Sequence, residues 1–104
     1  MTVMEKRLNL HEILCEILGS RNVYYQPPAS VKMKYPAIVY ARDRIGNDYA
    51  DNSVYKQEVS YRITAIYADP DSDLPIKISQ LPRCRHDRPY VSDNLNHDVF
   101  VMYY

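Results

Sequence analysis

His11 and Cys15 stand four residues apart in a helix-like stretch, a spacing that brings two metal-ligating side chains onto one helix face. A zinc site needs a third and usually a fourth ligand. His86 and His97 are too scattered along the chain to supply them. The pair therefore reads as ordinary helix-surface or interface residues. Asp69, Asp71, Ser72 and Asp73 suggest calcium, but the glycine and the distal glutamate of an EF-hand loop are missing, so turn and helix-cap chemistry explains them better. There is no glycine-rich phosphate loop, and no serine or cysteine lies in a recognised nucleophile frame. The expectation is a protein with no catalytic residue, no cofactor site and no metal site.

Two polar concentrations remain. Arg83, Arg85, His86 and Arg88 form a basic cluster interrupted by Asp87. In an unbroken strand Arg83, Arg85 and Asp87 share one face and His86 and Arg88 the other. A solvated strand with salt bridges is the plain reading; contact with a partner's acidic loop or with phosphate are the alternatives. The second concentration runs from Asp93 to Asp98, with Leu95 alone among turn residues. A lone exposed leucine needs no function. It becomes an anchor only if the strands beside it reach an interface.

Thirteen basic and 13 acidic residues leave a net charge of zero. That argues against a sequence-reading nucleic-acid protein, whose footprint is usually basic, and removes long-range attraction to anionic membranes. It favours self-association, because little net repulsion opposes it. Cys15 and Cys84 read as thiols in a reducing compartment, since no signal-peptide pattern leads into the first helix. The longest apolar run, Val99 to Tyr104, is far short of the ~20 residues that span a bilayer.

The length of 104 residues fits one domain, 1–104. Eleven tyrosines and no tryptophan sit mostly in strand-like runs. Between Tyr55 and Tyr67, Val59, Tyr61, Ile63, Ala65 and Tyr67 share one face; Lys56, Glu58, Ser60, Arg62 and Thr64 share the other. Leu10, Ile13, Leu14, Ile17 and Leu18 recur at helical spacing within Glu5 to Leu18, and Gly19 supplies the stop. Met1 to Met4 read as frayed or loosely docked. Strands are predicted over Asn22–Gln26, Ala37–Arg42, Val54–Tyr67, Arg85–Val91 and Asp98–Tyr104, with a second helix ending at or before Leu81. Arg44 to Ser53, with Gly46-Asn47 and Ala50-Asp51-Asn52, reads as a long hairpin loop. Val99 to Tyr104 is apolar on both faces, which predicts either a central strand or an edge covered by a partner. The order α-β-β-β-α-β-β predicts an α+β two-layer sandwich with a mostly antiparallel sheet.

The C-terminal stretch Arg88 to Tyr104, together with Tyr35-Pro36-Ala37-Ile38-Val39-Tyr40 and Asp51-Asn52, resembles small proteins of the neck and tail modules of tailed phages and prophages. The nearest class is the tail terminator, or tail completion, family. The resemblance implies a homo-oligomeric ring, usually of six copies, that caps the tail tube and meets the head-side connector, with phage DNA passing transiently. It places the protein in the virion neck or tail, and in the bacterial host cytoplasm during assembly. This chain is shorter than many terminators, so a head-closure or head-tail joining protein is the alternative; a small nucleic-acid-binding prophage factor is a third. Arg42, Arg44, Asp48, Arg85, Arg88, Leu95, Tyr103 and Tyr104 are the candidate interface residues.

Overall fold

The computed structural model describes residues 2–50 and 53–104. In chain order the elements are α1 (Val3–Leu18), β1 (Val23–Tyr25), β2 (Ala37–Ala50), β3 (Ser53–Tyr67), α2 (Leu74–Ser79), β4 (Cys84–Ser92) and β5 (Leu95–Tyr103). The five strands form one sheet in the order β1-β2-β3-β5-β4. Only β1 runs parallel to its neighbour; the other pairings are antiparallel. The fold is α+β, as the element order predicts.

Helix α1 begins earlier than the apolar spacing indicates. Thr2 caps it, accepting a hydrogen bond from the Glu5 N–H at 3.1 Å and donating its hydroxyl to Glu5 Oε1 at 3.2 Å. Residues 3 and 4 therefore belong to the helix. At the other end Gly19 takes the left-handed conformation, φ 79°, and returns its N–H to the Cys15 carbonyl.

Leu10 and Leu14 are fully buried, while Ile13, Ile17 and Leu18 are half-buried at the stripe's margins. The helix stripe joins Leu74 and Ile78 of α2 and the inner sheet face in one core. That face carries Val59, Tyr61, Ile63, Ala65 and Tyr67, all buried, as the alternation predicts. Phe100 and Met102 stand beside Ile63 and Tyr61 in register and complete it.

Strand β5 lies inside the sheet between β3 and β4, which explains its apolar character on both sides. It is not an exposed edge, so the expectation that a partner covers Val99 to Tyr104 falls away. On the outer face Val99 and Val101 are buried in register between Thr64 and Arg62 of β3 and Arg88 and Arg85 of β4. Arginine stems lying along apolar surface keep water from such positions.

The predicted loop from Arg44 to Ser53 is not a loop. Strand β2 runs on to Ala50 and β3 begins at Ser53, with pairing from Arg44↔Ser60 to Ala50↔Ser53. Residues 51 and 52 of that stretch lie outside the described residues. The turn-rich composition misleads because Gly46 sits in ordinary ladder register opposite Glu58, and the Asn47 side chain accepts from Gln57 Nε2 at 3.0 Å across the ribbon. The result is an arm. Strand β1 pairs with β2 only at residues 38–40, and β5 leaves β3 at Ser60. Beyond Asp43 seven residues of β2 continue, roughly 23 Å of strand. The molecule accordingly measures 51 × 24 × 23 Å, with a radius of gyration of 14.9 Å, against roughly 13 Å for a compact chain of this length.

The turn between β4 and β5 is tighter than predicted. Asp93 and Asn94, with φ of 52° and 63°, form a two-residue connection with the sign pattern of a type I′ turn. Leu95 is therefore not a lone loop residue; it opens β5, half-buried and paired with Ser92.

Candidate functional site: the arm and its base

Of the candidate interface residues, Arg44, Asp48 and Tyr103 come together. They line a groove of about 410 Å³ along the arm base, with Ile45, Asn47 and Glu58. An adjoining cleft, also about 410 Å³, continues past Glu58 and Tyr103 to Arg83, Tyr104, Val3 and Lys6. Arg83 organises the junction. Its guanidinium meets Glu58 at 2.6 Å and lies over the Tyr103 ring, 5.2 Å from the centroid. Tyr104 is tied inward: its hydroxyl accepts from Asn9 Nδ2 at 2.9 Å and its N–H donates to the Val59 carbonyl at 3.1 Å. Both terminal tyrosines thus already have partners within the chain.

The arm itself is less covered. Ile45 is 49% exposed and Tyr49 65%. Arg44 and Asp48 are exposed, on one face of β2. Arg42 lies at the arm's root, and its backbone N–H donates to the Gln26 side chain at 3.3 Å. Leu95 is at the far end of β5 from Tyr103 and joins none of these.

Arg85 and Arg88 belong to the outer sheet face, and there the sequence parity fails. A bulge between His86 and Arg88 shifts the register. Arg85 stands opposite Val101 and Arg88 opposite Val99, so the two arginines share the outer face, while His86 turns toward Phe100 on the inner face. Arg83 precedes the strand and turns to Glu58. Asp87, the bulged residue, pairs with Arg85 at 3.7 Å and with Arg62 at 3.4 Å. A second bulge in β2 offers Asp43 to the same Arg62, at 3.3 Å. Arg62 is thus held between two bulged aspartates, one on each side of the outer face. Arg88 lies 5.9 Å over Tyr90, which stacks on His97 at 4.6 Å.

The His11–Cys15 pair and the Asp69–Asp73 run serve local structure. His11 Nδ1 lies 2.8 Å from the Tyr40 hydroxyl, which also accepts from Arg7 at 3.1 Å. Burial, with Arg21 and Arg7 nearby, lowers the His11 pKa; burial raises that of Tyr40. Cys15 is buried and its thiol pKa is pushed up by desolvation. Among the described residues no three His, Cys, Asp or Glu side chains gather as a metal-binding group. Asp69 accepts from the Asp71 N–H and Ser72 from the Leu74 N–H, which is turn chemistry.

Sequence reasoning missed one constellation. Asp98 is buried on the inner face, where it accepts from the Tyr67 hydroxyl and lies 2.8 Å from His86 Nε2. An aspartate that orients a histidine is a familiar catalytic pairing. Cys84, two residues before His86, has its thiol pushed up to about 11 by burial, so it is held protonated rather than activated. The available signal was the alternation Asp98, Phe100, Met102 inside the predicted strand, which puts Asp98 on the same face as two core side chains.

Comparison with protein-family models, with curated proteins and with solved structures returns no match to this chain. Among the described residues no helix is long and apolar enough to cross a membrane.

Proposed function

We propose that this protein is a structural component of a phage or prophage neck or tail. In this reading it forms a homo-oligomeric ring of six copies at the head-proximal end of the tail. The ring ends tube growth, joins the tail to the head-tail connector, and is not an enzyme. It acts in the virion and assembles in the bacterial cytoplasm. The observation that carries the reading is the arm: a two-stranded ribbon of this kind is marginally stable in water by itself and gains from a neighbour's surface. A closed ring offers each subunit such a surface through heterologous contacts. The C-terminal resemblance supplies the rest of the argument.

Charge placement supports passage of DNA without a firm grip. Lys32 and Lys34 lie in the connector before β2, on the opposite side of the sheet order from β4. Arg85 and Arg88 are on β4's outer face, and Arg83 is engaged by Glu58. With these cations placed at opposite ends of the sheet order and Arg83 engaged, the counterion-release term that drives tight duplex binding is small.

Imaging and mass measurement on purified tails test the proposal. A six-fold ring at the head-proximal tail end is the expected result. A ring on the heads of tail-less particles would move the protein to head closure. Absence from virions, or tight salt-dependent binding of short duplex DNA, would overturn the structural reading.

A further inference from the structure

We propose that the outer edge of β2 in the arm pairs with the same edge of a second copy, antiparallel about a two-fold axis at Gly46. This dimer is a state of the free subunit. It does not rest on the ring reading, because a ring uses heterologous contacts and this one is isologous.

The edge is available. Past residue 40 no strand pairs with β2 on its outer side among the described residues, apart from the Gln26 side chain at Arg42. An unpaired strand edge is a template for another chain.

Its orientation follows from β3. The Val59 carbonyl accepts from Tyr104, on the side away from β2. Ile45 lies directly opposite Val59. Opposed residues in an antiparallel pair turn their backbone groups either toward each other or both away. Ile45 therefore presents its N–H and C=O outward, and Asn47, two residues on, does the same.

One register uses these groups with no side-chain conflict. Setting Ile45 against Asn47 of the second copy joins their outward N–H and C=O groups, twice by symmetry. Arg44 then faces Asp48 of the second copy on the same side of the ribbon, also twice. Shifting by two residues in either direction loses both of those charge pairs. Among the described residues neither the Arg44 nor the Asp48 side chain makes an ion pair, although Lys56 stands opposite Asp48 in the arm's own register.

At the axis Gly46 meets Gly46. Its own fold does not demand glycine. The only left-handed glycine is Gly19, and a Cβ at Gly46 would meet nothing closer than the Glu58 carbonyl at 3.9 Å. Glycine weakens a strand interior. Pairing about the two-fold gives it a reason, since opposed residues there are non-hydrogen-bonded and their side chains crowd closest.

The test is a site-specific cross-link. The opposed residues at the axis would have Cα atoms about 4.5 Å apart, within disulfide range. Gly46→Cys under a mild oxidant is expected to give a covalent dimer well above the background from Cys15 and Cys84 in wild-type protein. Sedimentation equilibrium of the wild type is expected to show a concentration-dependent dimer. Arg44→Asp and Asp48→Arg should each weaken it about tenfold or more, because each reversal acts twice across the axis. The combined Arg44→Asp/Asp48→Arg variant should restore it, which separates lost pairing from lost folding. Cross-linking at wild-type background, insensitivity to the reversals, or stronger cross-linking from Ile45→Cys or Asn47→Cys would overturn the proposal. Free subunits that form rings without a Gly46→Cys cross-link would sink it and leave the ring reading standing. A dimer of this kind from a protein absent from virions would do the reverse.

Discussion

The Tyr67 hydroxyl donates to the carboxylate of Asp98 across the β3–β5 ladder, and both residues are buried. Desolvation first, then the hydrogen bond and charge of Asp98, push the Tyr67 pKa from 10 up to about 12. A group whose folded pKa is raised stabilises the fold fully below its unfolded pKa and loses that contribution as pH rises through the folded value. Stability is therefore expected to fall between pH 10 and about 12 more steeply in the wild type than in Tyr67→Phe. Denaturant titrations of both proteins across that window check this; parallel curves would show that Tyr67 ionises freely.

Tyr61 makes the opposite prediction. Its ring is part of the core, and its buried hydroxyl has no hydrogen-bond partner among the described residues. A buried unsatisfied hydroxyl costs about 1–3 kcal/mol. Tyr61→Phe keeps the ring and removes that cost, so its unfolding free energy should equal or exceed the wild type's. A clear loss of stability in chemical denaturation would mean the hydroxyl is satisfied in solution.

Leu14 is fully buried in the core that α1 shares with α2 and the sheet. Leu14→Ala is expected to cost ~2–5 kcal/mol, the transfer and cavity terms together. A change under about half a kcal/mol, typical of surface substitutions, would place Leu14 outside the core.

The arm's register predicts an alternating exchange pattern. Gly46 and Asp48 face β3 with their backbone groups, while Ile45 and Asn47 turn away. In dilute monomer the amides of Gly46 and Asp48 should exchange more slowly than those of Ile45 and Asn47. Uniform exchange across residues 44–50 would count against the paired arm.

The Arg62 network is a weaker stabiliser than its geometry suggests. Its side chain and those of Asp43 and Asp87 are partly solvated, and exposed pairs contribute at most about 1 kcal/mol. Arg62→Met, which keeps much of the aliphatic cover over Val101, should lower the unfolding free energy by less than that. A larger loss in thermal or denaturant melts would show that the charges themselves hold the outer face together.

Local pattern was enough for the parts of the molecule that face its own core. The Leu10–Leu14 stripe, the inner face of β3 and the Gly19 stop are legible because burial imposes a period, and the period survives in the sequence. The candidate site was legible only in pieces. Arg44 and Asp48 were recognisable as exposed charges, but their place in a strand was hidden by Gly46-Asn47, whose turn signal yields to cross-strand pairing with Glu58 and Gln57. Bulges at Asp43 and Asp87 change which side chains share a face, and no spacing rule announces them. The position of β5 inside the sheet and the burial of Asp98 against Tyr67 and His86 depend on contacts between residues far apart in the chain. Short-range preferences determined where helices and strands could form. The strand order decided which edges stayed open, because pairing partners are chosen by the packing of the whole sheet and not by neighbours in sequence.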